Sequence, residues 1–94
     1  NHTLSDNAFY QSQLLILRGI LQEKKYKNHK QALALYAKGL KDIKPFGEFG
    51  EEYAAYAYFG LSRISDANGD KHNKKIYRKQ AMDLADFKDV NFDD

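Results

Sequence analysis

Few side chains in this sequence have the type and spacing that catalysis or metal binding needs. His29 and His72 occupy equivalent turn-like stretches among Lys and Asn neighbours. An imidazole pair could ligate a metal or relay a proton. A metal site needs three or four converging ligands, however, so these histidines read as solvated turn residues. His2 sits in a polar end expected to fray and adds no further ligand. Glu48, Glu51 and Glu52 could be imagined as an acid–base group, but Glu51 and Glu52 point to different sides of a helix. Their place at a helix start suits compensation of its dipole. No Ser-His-Asp arrangement or phosphate-cradling Gly loop is present: Gly47 and Gly50 are not followed by Lys-Ser or Lys-Thr. With no cysteine, thiolate metal sites, disulfides and a Cys nucleophile are excluded. The sequence therefore points to no enzyme, no metal and no cofactor.

Charge and aromatic patterning carry more. Residues 18–45 hold eight basic side chains against Glu23 and Asp42, a net of +6, whereas residues 83–94 net −4. A Lys stripe on two helices, with Tyr26 and Tyr77 available to stack, could meet a nucleic acid. The lysines are evenly spaced along outer helix faces, and Arg, the bidentate reader of phosphate, occurs only three times. The whole chain nets +2, too little to imply a polyanion by itself. A solvated helix back is the simpler reading, and nucleic-acid association the alternative. On another helix, Tyr53, Ala57, Gly60, Leu61 and Ile64 form one stripe and Glu52, Tyr56, Phe59, Arg63 and Asp66 a second. If the first is core, the second is partly exposed unless the C-terminal segment, through Val90 and Phe92, covers it.

The elements that position these residues follow from periodicity. The 94 residues suffice for one domain, and 43% hydrophobic with 14% aromatic residues mark it as globular. One Pro and six Gly argue against a β-rich fold, and no apolar run approaches the ~18 residues of a membrane span. A first helix is expected over 7–25, capped by Ser5 or Asp6, with Gln11, Arg18, Gln22 and Lys25 as a single wet stripe. After a Lys27-Asn28-His29 turn, with Asn28 as N-cap, a second is expected over 29–43. Pro45 should end it, because the residue before proline avoids the helical region. The Pro45–Gly50 stretch reads as the clearest break. A third helix follows, its Ala54, Ala57 and Gly60 admitting a close neighbour, and stops at Asn68-Gly69. A fourth, capped by Asp70, is expected over 71–86. In the tail, 87–94, Phe87, Val90 and Phe92 are expected to fold back over the helix ends.

The helices form two similar pairs. Ala-Lys-Gly-Leu-Lys-Asp at 37–42 parallels Lys-Gln-Ala-Met-Asp-Leu at 79–84, an offset of 42. Tyr36 and Tyr77 lie 41 apart, His29 and His72 43. The second pair, Tyr58-Phe59-x-Leu61, Gly69-Asp70 and Ala81-Met82-x-Leu84, resembles the tetratricopeptide (TPR) repeat. The first resembles it through Leu14, Leu17 and Leu21, then Ala32-Leu33, Tyr36, Leu40 and Pro45. The resemblance covers residues 8–86, with a period longer than the family's. Lys74 stands where the family places a small Ala, and Ser62 and Arg18 where it places Gly.

The resemblance implies an all-α domain over 1–94: two stacked antiparallel helical hairpins in an α-α superhelix fragment, repeat 1 at about 7–45 and repeat 2 at about 50–86, with a short tail. It also implies a non-enzymatic protein–protein interaction role, an adaptor or scaffold holding a peptide or protein across the first helices of the hairpins. The expected contacts are Ser12, Leu15, Gly19 and Gln22 from the first helix and Tyr56, Phe59 and Arg63 from the third. Gly19 would let a ligand backbone approach, and Arg63 would fix a carboxylate or carbonyl. Leu14, Leu15, Ile16 and Leu17 point in every direction around the first helix, so either the chain self-associates there or upstream residues cover it. The chain does not begin with Met and shows no signal segment, which fits a processed chain or a piece of a longer one, cytoplasmic or exported.

Overall fold

A computed structural model describes residues 2–85, with side chains from residue 7 onward. The expected return of Phe87, Val90 and Phe92 lies outside these residues, as do the side chains of Ser5 and Asp6. Among the described residues every regular element is helical, and there is no strand.

Helix α1 spans His2–Lys24, beginning five residues before the expected start. No Pro or Gly interrupts residues 2–7, so the helix propagates through the positions read as a cap. Helix α2 spans His29–Ile43. The Asn28 side chain accepts a hydrogen bond from the Gln31 amide, the N-cap its position promised. Between them Lys27 takes a left-handed conformation with φ 57°, unusual for a residue with a Cβ.

Helix α2 ends at Ile43, as expected, and the chain bends inside the expected Pro45–Gly50 break, but the helical path runs on through Pro45 itself. A 3-10 stretch, Lys44–Gly50, carries the chain from α2 into α3, Glu51–Ala67, so the described residues form three helical runs rather than four separated helices. Lys44 keeps right-handed helical angles (φ −55°, ψ −42°) although a proline follows it. Pro45 occupies the opening turn of the 3-10 stretch, where its missing N–H costs nothing. The change of direction falls instead at Gly47, whose φ 59° and ψ −134° only glycine adopts readily.

Helix α3 ends as its sequence indicates. Gly69 has φ 78°, its amide donates to the Asp66 carbonyl, and the Asp70 amide donates to the Ser65 carbonyl, which together make a Schellman cap. Asp70 then accepts from the Asn73 amide at the start of α4, Lys71–Ala85.

Helix α1 packs along α2, α3 packs along α4, and α3 also touches α1 and α2. The core joining them holds Ile16, Ala32, Tyr36, Ile43, Ala57, Leu61 and Ile64. Phe9 of α1 packs on Phe46 of the 3-10 stretch with ring centroids 4.9 Å apart. Tyr58 of α3 stacks on Tyr77 of α4 at 6.3 Å. Burial of this kind, at about 25 cal/mol per Å² of apolar surface, holds amphipathic helices too short to persist alone.

Candidate functional site

The most constrained side chain is Tyr36, which is fully buried. Its ring lies between two glycines of different helices. A Cβ on Gly19 of α1 would come within 2.8 Å of the ring, and one on Gly60 of α3 would overlap it. The backbone approach expected at Gly60 is therefore present, and the neighbour it admits is this ring. The opening at Gly19 is filled by the same ring and not by a ligand.

The Tyr36 hydroxyl donates to Glu23 Oε1 at 2.7 Å. Arg63 of α3 grips the same carboxylate from the other side, Nε to Oε2 at 2.7 Å and Nη2 to Oε1 at 2.9 Å. A two-pronged guanidinium–carboxylate pair is the strongest arrangement available to these groups. Burial by itself would raise the Glu23 carboxyl, but the hydrogen bonds from Arg63 and Tyr36 outweigh it and hold the group below the ordinary carboxylate range. Burial and the neighbouring carboxylate push the Tyr36 phenol far above the usual tyrosine value. These hydrogen bonds tie α1, α2 and α3 together as a structural lock.

This arrangement redistributes the residues expected to meet a partner. Ser12 is buried, its hydroxyl turned back to donate to the Phe9 carbonyl at 2.6 Å. Gly19 and Phe59 are buried as well. Arg63 is committed to Glu23. Leu15, Gln22 and Tyr56 remain half-buried, and the Tyr56 hydroxyl donates to Glu52 at 2.6 Å. That hydrogen bond, with partial burial, raises the Tyr56 phenol to about 12. The seven residues thus do not form one open groove, because three of them pack the interior. Glu23 went unmarked in the sequence, although its spacing from Ser12, Ile16 and Gly19 (four, then three, then four) sets it on their buried stripe.

Among the described residues an apolar groove lies elsewhere, where α2 bends into α3 beside the end of α4. It encloses about 250 Å³ and is lined by Leu40, Ile43, Gly47, Ala54, Tyr58 and Leu84, with Lys44 and Glu51 as its charged members. Gly47, where the chain bends, is among the residues that line it. A wider polar recess of about 540 Å³ lies among Ser62, Arg63, Asp66, Lys74 and Arg78. Within it Lys74 pairs with Asp66 at 3.2 Å, while Arg63 is held by Glu23 from outside the lining.

The lysine stripes lie on exposed faces of α2 and α4, as expected. Several of their charges meet acids on the surface, Lys38 with Asp42 at 3.2 Å and Lys79 with Asp83 at 3.3 Å. His29 and His72 stand in the first turns of α2 and α4, and no group of three His, Cys, Asp or Glu among the described residues could hold a metal. No helix among the described residues is long and apolar enough to cross a membrane. Compared with known proteins, the chain matches no family model, no curated protein and no solved structure.

Proposed function

We propose that this chain is a non-enzymatic protein–protein interaction module of TPR-like build, in which α1–α2 and α3–α4 are two stacked helical hairpins. It takes a partner segment in the apolar groove at the α2–α3 bend. The observation that carries this reading is the groove itself. Leu40, Ile43, Ala54, Tyr58 and Leu84 offer an apolar seat for one side chain of a partner, while Lys44 and Glu51 offer opposite charges to its backbone or flanking residues. The internal lock of Tyr36, Glu23 and Arg63 supports the reading because it stiffens the helices that frame the groove. A seat of this size favours modest affinity, about micromolar.

Panning a random displayed-peptide library against the immobilised chain tests this. Enriched peptides should share an apolar anchor and lose binding to a folded Leu84→Lys variant. No enrichment, or peptides indifferent to Leu84→Lys, would remove the groove from consideration. Filter binding at low and moderate salt separates the nucleic-acid reading: strongly salt-sensitive retention of DNA or RNA would favour the lysine faces instead.

A further inference from the structure

We propose that the outward face of α1 is a self-complementary seam on which a second copy of this chain docks antiparallel. This rests on α1 alone and is independent of the groove at the α2–α3 bend. Ser12, Ile16, Gly19 and Glu23 turn inward and are buried. On the far side Tyr10, Leu17 and Leu21 are 56%, 44% and 45% exposed, and Leu14, between them in the series, is half-buried. With exposed Asn7 and Lys24 at the ends, the positions 7, 10, 14, 17, 21 and 24 recur at alternating spacings of three and four. That is the repeat of a two-helix seam. It runs about 26 Å along the helix.

The order of residues along the seam selects its occupant and direction. Read from either end, it runs polar, apolar, apolar, apolar, apolar, polar. Under a two-fold axis, whatever residue i touches, its counterpart touches in return. The antiparallel arrangement sets Tyr10 against Leu21 of the second copy and Leu14 against Leu17 of the second copy. Lys24 then faces the uncharged Asn7, and Arg18, on the flank, faces Gln11. A parallel pair would instead bring Lys24 against Lys24 at a seam position, two like charges in contact. Four apolar layers make a small contact, so the association is weak.

Sedimentation equilibrium across roughly 5–500 µM reads the association in the range this contact size implies. The mass should rise from the 10.9 kDa monomer toward twice that value. Leu17→Lys, at an exposed position, should keep the helical spectrum and hold the chain at monomer mass throughout. The absence of cysteine allows a direct test of direction. A disulfide forms only where Cα atoms come within about 7 Å. A Tyr10→Cys chain mixed with a Leu21→Cys chain should cross-link to each other, and neither should cross-link to itself, since like positions lie about 16 Å apart along the axis. A chain that stays monomeric at every concentration, its seam covered by residues 86–94 or left bare, overturns the proposal. So does efficient self-cross-linking of either single variant.

Discussion

The Tyr36 hydroxyl and the Glu23 carboxylate, 13 residues apart, meet at 2.7 Å in the interior, where Arg63 completes the carboxylate's coordination. One phenol on α2 thereby bridges a buried acid on α1 and, through it, a guanidinium on α3. Tyr36→Phe keeps the ring and removes only the donor, so it should cost about 1.5 kcal/mol. Glu23→Ala strips Arg63 and Tyr36 of their common partner and should cost about 3 kcal/mol. In a double-mutant cycle the two losses should fall short of additivity, because each breaks the same bond. Urea melts of the four proteins provide the check; strict additivity would mean that the two residues do not act together.

The depressed Glu23 carboxyl gives this lock a defined acid response. A group whose folded value lies below its unfolded value of 4.5 contributes fully above that pH. The contribution is lost as pH falls through the folded value. The stability gap between the parent and Glu23→Gln should therefore be constant near neutrality and narrow in acid, below about pH 4.5. Denaturant midpoints from pH 7 to pH 2 would show it, and a gap that never narrows would mean the carboxylate is not held ionised by its partners.

Two glycines should fail for different reasons. Gly60→Ala drives a methyl into the Tyr36 ring and should cost about 1–3 kcal/mol through overpacking. Measured in a Tyr36→Leu background, which has its own cost, the Gly60→Ala penalty should be smaller than in the parent. Gly47→Ala meets nothing within 4 Å, so its cost, again about 1–3 kcal/mol, comes from the positive φ alone and no neighbouring substitution relieves it. Thermal melts of these single and double variants distinguish steric from backbone strain.

Lys27 offers the opposite sign. Its φ of 57° places a Cβ-bearing residue where glycine is comfortable, and its side chain is exposed. Lys27→Gly should raise stability by about 1 kcal/mol by relieving that conformation. An unchanged or lower melting temperature would show that the lysine or its unfolded-state entropy matters more.

The sequence by itself determined the local grammar of this protein. Asn28 caps α2, Gly69 turns the chain out of α3 and Asp70 opens α4 at the positions read from pattern, because each is an interaction between residues within one or two turns of each other. The all-helical class follows from the same short-range periodicity. The end of α2 at Ile43 and a break within Pro45–Gly50 were legible as well; that Lys44 stays helical before the proline and that the bend falls at Gly47 was not, because it depends on whether a new turn can start at Pro45. Tertiary structure alone decided which faces meet. Gly19 and Phe59 looked available on their own helices and are buried by a neighbour, and Glu23, one acid among many lysines, found Arg63 40 residues away. A helical stripe declares that it must be covered. Which helix covers it, and therefore which carboxylate is locked inside and which groove stays open, is set by the mutual fit of α1, α2 and α3 around Tyr36, a property of distances between residues far apart in the chain.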